Sequence, residues 1–329
     1  MANVTIRDVA RQAEVSVASV SRVINGGDSV SDAVRDRVNG AISSLGYVPH
    51  AGARSLSLAR TNAIGVMLPA VHGEFFSEIV RGMDQEASRH GYLLLLSNLP
   101  AGSRQAQDAL NAMRGRVDGM VMMAPHLDAK ELSETLPPRM ATVLINSRSQ
   151  SGAVGAIHID NAHGATLIVD HLVAQGRRSI VHIAGPHDNV DAQERLAAYR
   201  TAIARHGLEP IVVQGDFLIE SGGTALAKVL RDGTKFDAVF AANDNMAIGA
   251  FEALKAAGIS VPSQVAVTGF DDIPLAQHLG ITTVRVRISE IGERALSMLF
   301  ATLAGGGDHE DEYHRPELVI RSTTMEHSA

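Results

Sequence analysis

Residues 4–25 read VTIRDVARQAEVSVASVSRVIN, and the spacing within this stretch sets how the chain starts. Thr5 followed three residues later by Asp8 has the form of a capping box. Ile6, Val9, Ala10 and Ala13 then recur at helical spacing. A break at Glu14-Val15 leads to Ser16, a favourable N-cap, and a second helix over residues 16–25. Gly26-Gly27 ends that helix. Ser31 caps a third, whose Val34, Val38, Ile42 and Leu45 form one stripe before Gly46. Two short helices, a tight turn and a bracing third helix predict a helix-turn-helix unit over residues 1–46. Such a unit is too small to be a catalytic core by itself.

On the second helix Val20, Val23 and Ile24 face inward with Val9 and Val15, which leaves Val17, Ala18, Ser21, Arg22 and Asn25 outward. Arg22 can pair with guanine, Val17 or Ala18 can meet a thymine methyl, and Ser21 or Asn25 can hold phosphate. From the three helices alone, an ordinary solvated surface fits these residues equally well.

Tyr47–Arg60, YVPHAGARSLSLAR, follows. Pro49 blocks continuation of the third helix, while Ala53 and Leu56 stand at i and i+3. A helix this short is marginal in water, and Gly52 weakens it by roughly 1 kcal/mol relative to Ala. The segment reads as a linker that is helical only when something holds it.

From Ala63 the style changes. Apolar, β-branched runs such as residues 63–68, 119–124, 179–185, 238–243 and 265–269 alternate with helical stretches such as 75–90, 162–175, 192–206 and 245–257. This alternation predicts parallel sheets covered by helices. Nine such runs exceed the usual sheet of about five or six strands, so two α/β lobes joined near Asn161 are expected. Gly305-Gly306-Gly307 and the acidic residues 309–312 predict a surface loop before a final strand at 317–322.

Composition narrows the function. The 329 residues are too many for one core and suggest two or three domains. Hydrophobic residues at 45% and charged residues at 20% exclude a mostly disordered chain. Runs such as Tyr92–Leu96 fall far short of the ~20 residues of a membrane span. The N-terminus has no apolar core resembling a secretory signal, so a cytoplasmic protein is expected. Zero cysteines exclude disulfides, thiolate metal sites and a cysteine nucleophile. Residues 1–60 carry seven arginines against five acids, while the whole chain has a net charge of −7. A slightly basic head therefore stands on an acidic body.

VTIRDVARQAEVSVASVSRVIN, the ARSL at 53–56, RLAAYR at 195–200, AANDNMAIGA at 241–250 and VTGFDD at 267–272 together resemble the lactose/galactose repressor (LacI/GalR) family of bacterial transcription regulators, over essentially the whole chain. The resemblance implies a ligand-responsive repressor of carbohydrate-utilisation genes that binds palindromic double-stranded operator DNA as a homodimer. It makes Val17 and Ala18 base-reading positions and matches Arg22 to an arginine that contacts guanine. Thr5, Ser16, Ser21 and Asn25 match backbone-contacting positions. Ala53 and Leu56 fall on a hinge helix whose leucine wedges into the minor groove.

The body resembles a periplasmic sugar-binding protein, a two-lobed clamp with its ligand at the carboxyl ends of the strands. The implied effector contacts are Arg195, Asp271, Phe217 and Asn243 on one lobe, Phe75, Phe76 and Asn146 on the other, and His158 near the junction. A carboxylate and an amide suit paired hydroxyls, Arg195 adds a fork of donors, and Phe217 offers a ring face. The implied domains are 1–46, a hinge at 47–61, and a body at 62–329, with lobes at 62–160 plus 287–317 and 161–286 plus 318–329. The resemblance puts residues 75–82 and 246–257 near the dimer interface. No leucine heptad follows the last strand, so a dimer rather than a tetramer is expected.

Fourteen histidines raise a metal question, but they show neither HExxH spacing nor a three-ligand constellation. No metal and no cofactor is expected. GxxxxGK[ST], GxSxG and a strand-following GxGxxG are all missing, so no catalytic residue is assigned and an enzyme is not expected.

Overall fold

The computed structural model describes residues 4–25, 30–48, 60–70, 73–99, 103–137, 140–148, 154–306 and 311–325. Ala53, Leu56 and most of the expected hinge lie outside the described residues. The chain divides into two compact units, a head within Met1–Asn62 and a body made of Ala63–Arg114 and Asp118–Ala329.

Among its described residues the head has three helices, α1 (Ile6–Gln12), α2 (Val17–Ile24) and α3 (Asp32–Leu45). At α1 the Asp8 carboxylate accepts from the Thr5 backbone N–H at 3.0 Å and from its Oγ1 at 2.6 Å. Ser16 Oγ caps α2 by accepting from the Ser19 N–H at 3.1 Å. Each helix contributes one fully buried valine, Val9, Val20 and Val38, and Ala10, Ala13, Val23 and Ala41 complete the core. Gly46 ends α3 at φ 59°, the left-handed turn that glycine adopts without strain.

The first lobe of the body runs β1 (Ala63–Leu68), α4 (Glu74–Arg89), β2 (Leu93–Asn98), α5 (Ser103–Met113), β3 (Gly119–Met123), α6 (Ala129–Thr135), β4 (Ala141–Ile145) and β5 (Gly155–Ile159). The chain then enters the second lobe through α7 (Asn161–Ala174), β6 (Ile180–Ala184), α8 (Val190–Arg205), β7 (Ile211–Gln214) and α9 (Ile219–Arg231). That lobe continues with β8 (Ala238–Ala241), α10 (Asp244–Ala256), β9 (Ala266–Thr268), α11 (Pro274–His278) and β10 (Thr283–Arg285). Next, α12 (Ile288–Leu303) packs back on the first lobe, β11 (Glu312–His314) adds to its sheet, and β12 (Glu317–Val319) pairs with β10.

The first sheet has six parallel strands in the order β11-β5-β4-β3-β1-β2, and the second has four in the order β7-β6-β8-β9. Every residue of β1, β3, β6 and β8 is buried, as parallel strands covered on both faces require. The chain thus crosses between the sheets after β5, between β10 and α12, and between β11 and β12.

β11 and α12 depart from the sequence reading. β11 is a strand at the end of the stretch expected to be a loop, since three residues gain strand geometry only by pairing with β5. α12 was not foreseen, although it buries Ile288, Ile291, Ala295, Leu296 and Leu299 along one side. It crosses α4 so closely that a Cβ at Gly82 would strike the Ser289 carbonyl, and one at Gly292 the Ile79 carbonyl.

Candidate effector cleft and DNA-contacting helix

Packing within the head sorts the residues of α2. Val20 and Val23 are buried, whereas Val17 is 42% exposed and Ala18 and Arg22 are also exposed. Ser21 and Asn25 are half-buried on the adjoining strip, with Asn25 Nδ2 donating to Ser21 Oγ at 3.4 Å. The exposed face thus offers an apolar contact, a guanidinium and two small polar groups. That set can read a groove edge and hold a phosphate.

In the body, loops at the carboxyl ends of both sheets enclose a cavity of about 340 Å³. Phe75, Phe76, Met123, Pro125 and His126 line it from the first lobe. The second lobe supplies Asp188, Asn189, Asp191, Arg195, Asp216, Phe217, Asn243, Asn245 and Asp271. Six of the eight residues singled out from the sequence therefore surround one cavity.

Arg195 is its polar centre, 3% exposed. Its Nε donates to Asn161 Oδ1 at 2.8 Å and its Nη1 to the Ala242 carbonyl at 2.6 Å. Its guanidinium carbon lies 3.7 Å from the centre of the Phe270 ring, a cation–π contact. Nη2 is 3.5 Å from Asp271 Oδ1, an ion pair longer than a hydrogen bond. Asn161 also donates to Asp191 Oδ1 at 2.8 Å and to Glu194 Oε2 at 2.9 Å.

Burial raises the Asp271 pKa to about 7, with Arg195 opposing and Asp191 adding to the rise. Burial likewise raises Asp191, against the pull of Arg195 and Asn161. Asp271 holds φ at 112°, a strained backbone for a residue with a side chain. Its N–H and carbonyl are fixed to Val284 and Val286.

Asn243 lines the cavity, but its amide is also structural. Oδ1 caps α10 by accepting from the Met246 N–H at 3.0 Å, and Nδ2 donates to the Phe217 carbonyl at 3.0 Å. Phe217 is held at φ 73°. Asp272, beside Asp271, turns away to Arg285 and Arg321. Asp244 is fully buried and ties Thr283 and the Ile273 N–H together.

Asn146 and His158 lie elsewhere. They line a separate cavity of about 260 Å³ with Arg148, Glu194, Asp311 and Tyr313, and only Asp191 lines both. Asn146 Oδ1 accepts from the Ile159 N–H at 2.8 Å, closing β4 onto the end of β5. His158 stacks on Tyr313 at 5.0 Å and stands 3.7 Å from Asp311. Sequence reasoning missed Asp191 and Asn161. Asp191 lies one turn before Arg195 on α8, and that i, i+4 spacing was a usable signal. Nothing local marked Asn161.

Contacts join the lobes at both ends of the main cavity. The Leu275 N–H donates to Glu74 Oε2 at 2.8 Å, and the Val190 N–H to the Pro125 carbonyl at 3.0 Å. Among the described residues, no cluster of three or more histidines and carboxylates could hold a metal ion. No described helix is long and apolar enough to cross a membrane.

A helix-turn-helix head and a two-lobed receptor on one chain define a regulator that couples nucleic-acid reading to a small ligand. The family model for bacterial regulatory proteins of the lacI family matches residues 5–50, and that for a periplasmic binding protein-like domain matches residues 169–324. The ribose operon repressor of Escherichia coli (strain K12) is 36% identical over 303 residues, 90% of this chain and 92% of that protein. The repressor CytR of the same strain is 34% identical over 332 residues, 97% of this chain and 96% of its own. Among solved structures, the Lac repressor dimer bound to operator and the anti-inducer ONPF matches with a TM-score of 0.91 at 28% identity, covering 99% of this chain and all of that one. The regulator CelR in complex with cellobiose matches with a TM-score of 0.72 at 31% identity, covering 98% of this chain and all of that one. The chain belongs to the LacI family of bacterial regulatory proteins, and is a regulator rather than an enzyme.

Proposed function

We propose that this regulator is a cytoplasmic repressor of carbohydrate-utilisation genes, bound as a homodimer to a palindromic operator and released by a sugar inducer. The observation that carries the reading is one chain holding both an exposed Val17–Ala18–Arg22 face and a buried Arg195–Asp271 pair beside Phe217. In this division residues 1–46 read DNA, 47–61 form the hinge and 62–329 bind effector and dimerise, with the two lobes meeting near residues 160, 287 and 317.

Val17 and Ala18 meet base edges, Arg22 pairs with guanine, and Thr5, Ser16, Ser21 and Asn25 hold the backbone. Ala53 and Leu56 enter the minor groove. Phe75, Phe76, Arg195, Phe217, Asn243 and Asp271 hold the effector. Asn146 and His158 reach it only by way of Asp191, which both cavities share. The effector shifts the lobes only as far as its affinities for the two arrangements differ.

Of the residues 75–82 and 246–257 that the resemblance puts near a dimer surface, Ser77, Arg81, Glu252 and Lys255 are exposed, whereas Ile79, Gly82 and Met246–Ala250 are buried inside the body. The edge strand β2 also exposes Leu93, Leu95 and Leu96, an apolar edge with no further strand beside it among the described residues and suited to a second copy. Operator selection from random sequence, with light scattering of the purified chain, tests the reading. It expects a two-fold symmetric site and a dimer. A monomer that selects no palindrome contradicts it.

A further inference from the structure

The effector cleft is unbalanced in charge. Asp188, Asp191, Asp216 and Asp271 line it, and Arg195 is the single arginine or lysine among its described lining residues. Arg195 is already engaged by Asn161, the Ala242 carbonyl and the Phe270 ring face. His126 lies near Asp188, but burial holds its pKa below the usual histidine range, so it adds little positive charge near neutrality. Asp271 is 5% exposed, and its Oδ1 has no hydrogen-bond partner among the described residues. A buried acceptor thus stands at the cavity wall with only the 3.5 Å ion pair to Arg195 and no hydrogen bond among the described residues. The charged groups around it are Arg195, Asp191 and Asp244, while neighbouring Asp272 is spent on Arg285 and Arg321.

We propose that the cleft selects its effector by charge, taking a hydroxyl-rich molecule that bears no negative charge and refusing the phosphorylated and carboxylated forms of the same sugar. The proposal rests on the sugar-effector reading and narrows it. An anion entering this site meets four aspartates, of which Asp191 and Asp271 gain charge only as pH rises past their raised pKa values, and one arginine whose donors are largely committed, so like-charge contact is unfavourable there. A hydroxyl or ammonium group brings the donor that Oδ1 lacks. Donation to Oδ1 favours the ionised carboxylate, whose pKa burial raises to about 7. Binding of an uncharged sugar therefore displaces a proton from Asp271, and affinity rises as pH goes from about 6 to about 8. An anionic ligand would favour the protonated carboxyl and reverse the slope.

The test uses the full-length chain in a thermal-shift screen of pentoses, hexoses, disaccharides and nucleosides, each beside its amino, uronic and phosphorylated counterparts. Uncharged binders are then titrated by calorimetry from pH 6 to pH 8. The expected result is an uncharged or amino binder whose phosphate is at least about tenfold weaker, with affinity for the uncharged sugar rising with pH. The double variant Asp188→Asn, Asp216→Asn should narrow the gap between sugar and phosphate. A phosphate or uronate that binds as tightly as its parent, a falling affinity with pH, or a gap unchanged in the double variant overturns the proposal. If nothing in the panel binds while operator binding persists, the sugar-effector reading itself fails and takes this inference with it.

Discussion

The recognition helix and the effector cleft treat their polar groups in opposite ways. On α2, Arg22 and the residues beside it stand in water, and the fold asks nothing of them. Around the cleft, Arg195, Asp191, Asn243 and the neighbouring Asn161 are hydrogen-bonded to one another or to the backbone. In the head the base-reading candidates Val17, Ala18 and Arg22 are free of folding roles, although the backbone-contact candidates Thr5 and Ser16 also cap helices. The body makes the same residues serve both.

The largest effect that could break this contrast is on Arg195. Arg195→Ala strands Asn161 Oδ1, the Ala242 carbonyl and the Asp271 carboxylate inside the body. Removing one partner of a buried charge network costs about 3–5 kcal/mol. Urea unfolding of the variant should show that loss, and a loss under about 1 kcal/mol would mean the network does not support the fold.

Arg22→Ala should behave in the opposite way. Operator affinity is expected to fall by about 1–3 kcal/mol at the guanine it reads, while stability changes by no more than about 0.5 kcal/mol. Electrophoretic titration and thermal melting of one preparation measure both. Unchanged affinity would remove Arg22 from the interface, and a large drop in melting temperature would erase the contrast.

A third effect is a pH dependence. Burial raises Asp271 to about 7 from the 3.8 of an ordinary aspartate. Between those values the folded body binds more protons than the unfolded chain, so stability is full below the lower value and declines as pH rises through the upper. Asp271→Asn should flatten this decline in denaturant melts taken from about pH 4 to about pH 8. A decline of unchanged slope would assign it to other buried acids such as Asp191 or Asp244.

What could be read in the sequence follows the same divide. The apolar spacing of the first helices gave the core of Val9, Val20 and Val38 and the face of α2 directly, because helix periodicity sorts inward from outward. The strand–helix alternation gave both parallel sheets. Arg195, Phe217 and Asp271 came through the family resemblance; Phe217 and Asp271 stand in loops at the carboxyl ends of strands, and Arg195 early in the helix that follows such a loop. Asn161 stayed hidden because its role depends on α7 meeting α8, a contact no local pattern encodes. Asn146 reads as a cleft residue because it ends a first-lobe strand, and His158 because it lies near the lobe junction, but closing β4 onto β5 turns Asn146 to a different cavity, which His158 also lines. β10 and β11 are three residues each, too short to show a period of two.

The central claim is that a small molecule in the cleft controls the hold of the head on DNA. The most direct measurement is operator affinity of the full-length chain as a sugar found by thermal-shift screening is added, for the parent and for Asp271→Ala. For the parent, the account predicts operator release over the same sugar concentrations that saturate the cleft in calorimetry. For Asp271→Ala it predicts unchanged operator binding without sugar and a release shifted by about 1–3 kcal/mol in effector affinity, because donors that met the carboxylate are left unpaired. Operator affinity that stays constant while the cleft fills, or release that ignores Asp271→Ala, would contradict it.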